Sequence, residues 1–252
     1  MRVGTYNVLG LTGFPPAVAA AALGTGEARE EHFAAVFGGL GCDVLVLQEG
    51  PAPDLVRRIA ERLQMHVAGF ASPTAYPGYV LSRAPIRESR TYAHAGPGGR
   101  DGPFSRAAGA ARLDLGLQGI WVVGLHLHPS NRVLRDREAE LLEGILGDLG
   151  AGPVVVAGDF NAPLGETVHA IFSARGFTNA MEGAGGGVRA TMDTDGIRPH
   201  AIDHIYVSPE LSPALEAARV VTDPGFRAEA PAPAGTWVHS DHLPVLADLR
   251  WP

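Results

Sequence analysis

The chain has 252 residues, 46% of them hydrophobic and 19% charged, with a formal net charge of −7. No stretch approaches the ~20 uninterrupted apolar residues of a membrane span, and the negative balance argues against a broad basic footprint for nucleic acid. All 20 basic side chains are arginine, which excludes Schiff-base, phosphate-loop and amine-nucleophile chemistry built on lysine.

In chain order, Met1 and Arg2 lead straight into an apolar run from Arg2 to Val8, with no signal core or cleavage site, so a cytoplasmic location is expected. Leu11 to Gly26 reads as a Gly-, Pro- and Ala-rich loop. Phe33, Val36, Phe37 and Leu40 recur at i, i+3, i+4 and i+7 and predict a helix. Cys42, the only cysteine, excludes an intrachain disulfide and a thiolate metal cluster; it reads as a packing residue before a strand run from Val44 to Gln48. Leu55, Ile59 and Leu63 predict a second helix. Strand runs follow at Tyr79–Ser82, Ala110–Leu115 and Ile120–Leu127. Leu134, Leu141, Leu142, Ile145 and Leu149 then mark a long amphipathic helix, whose face carrying Arg132, Arg135, Asp136, Arg137, Glu138 and Glu140 reads as solvated. The last strand runs are Val154–Gly158, Ala201–Val207 and Leu243–Leu249. Most of these runs are continuously apolar, which predicts strands covered on both faces and interleaved with helices, an α/β protein. Chemical motifs flank every Gly- and Pro-rich loop, so 1–252 is expected to fold as one domain, and a monomer is expected.

Those motifs sit where apolar runs end: Thr5-Tyr6-Asn7-Val8, Leu47-Gln48-Glu49, Leu125-His126-Leu127-His128-Pro129, Gly158-Asp159-Phe160-Asn161, Ile202-Asp203-His204-Ile205 and Ser240-Asp241-His242. Strands that stop at a carboxylate, amide or imidazole deliver hard oxygen ligands and titratable nitrogens to one rim, the combination that a divalent cation and a phosphoester need. Asp159 and Asn161, two apart, share one side of an extended chain. Asp203 is a partner able to hold an imidazole in one tautomer.

In this order and spacing the motifs resemble the endonuclease/exonuclease/phosphatase superfamily, which includes deoxyribonuclease I, exonuclease III-type repair nucleases, inositol polyphosphate 5-phosphatases, neutral sphingomyelinases and poly(A)-specific deadenylases. Ser82-Arg83 with Pro85-Ile86 resembles a structural stretch of the same family. The resemblance implies a four-layered α/β sandwich, two mixed sheets face to face between helices, with the site where strand ends from both sheets converge. It further implies Mg²⁺, with Mn²⁺ as the alternative, held chiefly by Glu49, with Asn7 and Asp241 close to the ion. Asp159 and Asn161 would position or deprotonate the attacking water. His242, oriented by Asp203, would bind the scissile phosphate or exchange a proton with it, and His126 would stabilise the pentacovalent phosphate or assist the leaving group. In-line attack by water with no covalent enzyme intermediate is the implied reaction.

The sequence departs from abasic-site nucleases of that family. Leu9 stands where they often carry an acidic residue, no tyrosine is clearly placed to contact phosphate in the repair-nuclease manner, and Ala201 rather than arginine precedes Ile202-Asp203, with Arg198 three residues before. Phe14, Tyr76, Phe104, Phe226 and Trp237 occupy loops, a rim suited to a small organic or lipid-linked phosphoester more than to a long duplex. A DNA or RNA nuclease using the same site is the alternative, and a non-catalytic module retaining the fold is a third reading. His128, Arg198, Trp237 and His239 are candidate substrate contacts, and Arg100, Arg106 and Arg189 candidate phosphate contacts. His204 is expected to pack away from the site, and His169 has no pattern that assigns it a role.

Overall fold

The computed structural model describes residues 1–92, 104–116, 119–192, 199–228 and 232–250. In order the elements are β1 (Arg2–Asn7), α1 (Pro16–Leu23), α2 (Glu27–Leu40), β2 (Val44–Gln48), α3 (Pro53–Arg62), β3 (His66–Phe70), β4 (Gly78–Ser82), β5 (Ile86–Thr91), β6 (Ala107–Asp114), β7 (Gly119–His126), α4 (Arg132–Asp148), β8 (Val154–Asp159), α5 (Thr167–Ala174), β9 (Thr178–Asn179), α6 (Ala180–Ala184), β10 (Asp203–Val207), β11 (Leu215–Val220) and β12 (Val245–Leu249). Among the described residues no helix is long and apolar enough to cross a membrane.

The strands make two six-stranded mixed sheets, ordered β11-β12-β1-β2-β4-β3 and β5-β6-β7-β8-β10-β9. Each has a single parallel pair at its centre, β1/β2 in the first and β7/β8 in the second, with every other pairing antiparallel. Successive strand side chains point to opposite faces, and the continuous apolar runs use both. Val44 and Val46 face the second sheet while Leu45 and Leu47 face Phe33, Phe37, Val56 and Ile59 of α2 and α3. On β8, Val155 and Ala157 face the first sheet while Val154 and Val156 pack with Leu142, Ile145 and Phe172 of α4 and α5. The result is the helix–sheet–sheet–helix layering expected of the sandwich.

Two glycines set close approaches, one between strands of the second sheet and one between the sheets. A Cβ on Gly158, whose φ is +159°, would lie 2.0 Å from the Leu125 carbonyl oxygen, so only glycine lets β8 run this near β7 just before Asp159. A Cβ on Gly109 would meet the Phe70 ring at 2.1 Å; the missing side chain is the seat for that ring between the sheets.

Several expectations are corrected. The presumed loop from Leu11 to Gly26 contains α1, started by Pro16 at its first turn and carried by alanines, which are strong helix formers. Strands β3, β5, β9 and β11 and helices α5 and α6 add to the expected elements. Phe104 and Phe226 are core residues, not loop aromatics available to a ligand. On α4 the polar face is not uniformly solvated: Arg135 and Glu138 are buried. Glu138 accepts from the backbone N–H and hydroxyl of Ser105, both at 2.7 Å, and from the His128 N–H at 2.9 Å. Arg135 donates through Nε and Nη2 to the two Glu166 carboxylate oxygens and through Nη1 to the His128 carbonyl. Loops from elsewhere cover that face, which helical periodicity alone does not reveal.

Candidate active site

The parallel pairs end on one rim. Asn7 closes β1, Glu49 follows β2, His126 closes β7 and Asp159 closes β8. Asp203 opens β10 directly opposite Asp159 in the antiparallel ladder. Asp241 and His242 lie in the approach to β12, tied to the rim by the Ser240 hydroxyl, which donates to the Asn7 carbonyl at 2.7 Å. Residues from position 7 to 242 thus converge because strand ends, not sequence neighbours, face one another.

Asp159 Oδ2 is the hub. It accepts from the Asn7 side-chain amide at 3.0 Å, and the same amide reaches Glu49 Oε1 at 3.3 Å. His126 Nε2 stands 3.7 Å from Asp159 Oδ2 and 3.9 Å from Glu49 Oε1, and His242 Nε2 stands 3.9 Å from Asp159 Oδ2. The other oxygen, Asp159 Oδ1, accepts from the Asn161 N–H at 2.9 Å, and the Asn161 amide donates to the Leu127 carbonyl at 3.0 Å. This departs from an extended Asp-Phe-Asn: Asn161 turns left-handed at φ +50° and braces Asp159 instead of lying beside it. Glu49 also has a positive φ, +49°, an uncommon state for a carboxylate residue and one concentrated at functional sites.

The two site imidazoles are driven in opposite directions. Burial pushes His126 down to about 4, only partly opposed by Asp159, with the charge of Arg106 lowering it further. Its Nδ1 is buried without a partner, so that nitrogen is best left as the bare lone pair, placing the proton on Nε2, toward the carboxylates. Burial also opposes charge on His242, but Asp203 and Asp159 outweigh it and hold the ring up at about 10. Asp203 Oδ2 lies 2.9 Å from His242 Nδ1 and accepts from the Thr191 hydroxyl at 2.6 Å. Thr191, which no sequence motif distinguishes, is therefore the residue that holds the Asp203–His242 pair. Asp159 is raised, first by burial and then by Asp203. Glu49 is raised by burial, with the Asn7 hydrogen bond opposing and Asp159 and Asp241 adding repulsion.

Crowded carboxylates at one rim are a seat for a hard cation. Asp159, Asp203 and His242 bring ligand atoms within 4.8 Å of one another. Asp203 and His242 are nevertheless committed to each other, and a protonated imidazole has no lone pair to give. The donors suited to a divalent ion are Glu49 Oε1 with the Asn7 and Asp241 oxygens, whose mutual repulsion a cation relieves.

The remaining sequence candidates divide. His128 Nδ1 accepts from the Ser130 and Asn131 N–H groups, so the ring caps the turn into α4. Trp237 and His239 pack on each other and on His32, and His239 also on Phe33 and Phe226; their contacts run to α2 and not to the carboxylates. His204 is buried against Phe160 and His169, pointing away from the rim. Arg198 and Arg100 lie outside the described residues. Tyr76 stands beside the site instead, its ring edge-on to His126 at 6.3 Å, with the Arg106 guanidinium 4.4 Å above its centroid.

The profile of the Endonuclease/Exonuclease/phosphatase family matches residues 4–242. The chain belongs to this family. It is accordingly an enzyme, a hydrolase of phosphoric esters, and the family's phosphoesterases typically depend on a divalent metal. No curated protein matches the sequence closely enough to count as a relative. Solved structures similar to this family member include a mannosyl-6-phosphatase from Bacteroides thetaiotaomicron, 19% identical over 100% of both chains with a TM-score of 0.75. A 3′ phosphatase from Neisseria, bound to a product DNA hairpin, is 20% identical over 100% of both chains with a TM-score of 0.71. Truncated TDP2 from Caenorhabditis elegans is 16% identical, covering 98% of this chain and 96% of its own, with a TM-score of 0.69. At these identities the likeness is one of fold.

Proposed function

We propose that residues 1–252 form a single catalytic domain that hydrolyses a small organic or lipid-linked phosphoester by in-line attack of water, with Mg²⁺ as the preferred ion. The observation that carries this reading is the Asn7 amide bridging Glu49 and Asp159, with His126 and His242 both within 4 Å of Asp159 Oδ2. Glu49, Asn7 and Asp241 would hold the ion, which supplies charge neutralisation at the phosphate oxygens. Asp159, its pKa raised and its Oδ1 braced by Asn161, takes a proton from the attacking water. As the P–O bond to water forms, the bond to the leaving oxygen breaks, and the proton held by Asp159 balances the departing alkoxide. His242, charged at neutral pH, and the Nε2–H of His126 stabilise the oxygens of the phosphoryl group. Asp203 keeps His242 oriented and charged.

The test is hydrolysis of 4-nitrophenyl phosphate, bis(4-nitrophenyl) phosphate and a nicked-plasmid assay, with Mg²⁺ or Mn²⁺, beside an Asp159→Ala control. Metal-dependent turnover of the small esters that the control lacks is the expected result. Plasmid cleavage without ester hydrolysis would replace the small-substrate reading with a nuclease, and inactivity on all three substrates would refute the reading.

A further inference from the structure

One charged contact at the mouth of the cleft is unused by this chemistry. Tyr76 lies in the loop between β3 and β4 of the first sheet, and Arg106 directly precedes β6 of the second, so their cation–π contact at 4.4 Å joins the two sheets across the rim. The same tyrosine ring meets His126. Arg106 is half-buried, and among the described residues no carboxylate lies within 4.0 Å of its nitrogens. Half-buried Arg2, by contrast, pairs with Asp248, and buried Arg135 pairs with Glu166. The backbone beneath Arg106 is set in place: Phe104 is in the core, and Ser105 is held through its N–H and hydroxyl by buried Glu138. A guanidinium fixed this way presents a planar fork of N–H donors, with no acid among the described residues to receive them. Among the described residues no anion completes it, which leaves the fork open to a ligand.

The oxygens of a phosphate group supply that anion. A phosphomonoester has three non-bridging oxygens that share the developing charge, and a diester has two. In the proposed mechanism the ion held by Glu49, Asn7 and Asp241 would take one position and His242 a second; Arg106, which shares the Tyr76 ring with His126, is at hand for a third. We propose that Arg106, seated on the Tyr76 ring, binds the terminal oxygens of the substrate phosphate and makes this enzyme prefer phosphomonoesters to phosphodiesters. A diester must place an ester oxygen, a poor acceptor without charge, against the guanidinium, leaving a desolvated cation unpaired. The inference rests on the hydrolytic reading above and narrows its substrate class.

The experiment uses the full chain with saturating Mg²⁺ and compares kcat/KM for 4-nitrophenyl phosphate and bis(4-nitrophenyl) phosphate in wild type, Arg106→Ala, Arg106→Lys and Tyr76→Leu. Binding of inorganic phosphate is measured alongside by calorimetry. Loss of a charge-assisted contact made to the monoester alone predicts about a 100-fold fall for Arg106→Ala on the monoester and about five-fold on the diester. Arg106→Lys, which keeps charge without the fork, falls between wild type and the alanine variant. Tyr76→Leu raises KM more than it lowers kcat, because it removes the support of a binding group. Phosphate affinity weakens about ten-fold or more in Arg106→Ala. Equal losses on both esters, or unchanged phosphate affinity in Arg106→Ala, would overturn the assignment. A wild type that hydrolyses neither ester would fail the hydrolytic reading instead, and the phosphate titration would still decide Arg106.

Discussion

The two sheets are built alike and do different work. Each runs antiparallel, antiparallel, parallel, antiparallel, antiparallel across its six strands, and each ends its central parallel pair at the same rim. Asn7 on β1 corresponds in position to His126 on β7, and Glu49 after β2 to Asp159 at the end of β8. In the proposed mechanism the first sheet would supply the ion's oxygen donors, Asn7 and Glu49 with Asp241, and the second the proton-handling groups, His126 and Asp159 with Asp203. Glu49 has readier access to solvent than its counterpart Asp159. It is half-buried, while Asn7, Asp159, His126 and Asp203 are buried. In the proposed mechanism the ion would be held at Glu49 and the proton at Asp159.

The largest expected effects break that division. Glu49→Ala and Asp159→Ala should each reduce kcat by about 10³-fold or more without unfolding the chain. Only Glu49→Ala should also weaken Mn²⁺ binding in a calorimetric titration of the protein without substrate. Equal loss of ion binding in both would merge the two halves into one function.

Asp203→Asn is expected to cost about 10²-fold and to change the shape of the pH–rate profile. In the wild type His242 stays charged until about pH 10, because Asp203 and Asp159 outweigh its burial. Removing the Asp203 charge lowers that pKa, so the alkaline limb should move to lower pH. An unmoved limb would detach His242 from it.

The same opposition shows in stability. His126, depressed to about 4 by burial, contributes stability that is complete above the ordinary value of 6.5 and lost as pH falls through about 4. His242, raised to about 10, contributes stability complete below 6.5 and lost as pH rises through about 10. Urea denaturation at pH 5 and pH 7 should therefore show a smaller acid loss in His126→Gln than in wild type. A contrary order would place His126 outside the buried cluster.

The smallest effect concerns the space between the sheets. Gly109→Ala drives a methyl group into the Phe70 ring and should cost about 1–3 kcal/mol of stability, with kcat per folded molecule retained. A large loss of kcat at unchanged Tm would mean that the sheet spacing sets the rim geometry directly.

The continuous runs were legible because a strand covered on both faces needs apolar side chains at every position, as at Val44–Leu47 and Val154–Ala157. Edge strands β5 and β11 alternate between half-buried and exposed residues, so their composition resembles that of loops. The polar ends of the central strands were legible for the same local reason: Asn7, Glu49, Asp159 and Asp203 interrupt apolar runs. Thr191, Glu138 and the Tyr76–Arg106 contact gave no such signal, because each acts on a partner brought near only by folding. Trp237 and His239 stand close in sequence to Asp241 of the rim but pack on His32 of α2, an arrangement that proximity along the chain does not reveal.

Composition and the order of motifs determined which chemical groups this enzyme has at its disposal, since side-chain type at a strand end is a local property. Which imidazole carries a proton at neutral pH was decided by tertiary structure alone. His126 and His242 are the same side chain, and burial opposes charge on both; His242 is held up at about 10 by the close charges of Asp203 and Asp159, whereas His126 falls to about 4 because Asp159 alone opposes its burial and Arg106 adds repulsion. Charge at close range in a dry site depends on distance, and distance between residues 126, 203 and 242 exists only once the two sheets have met.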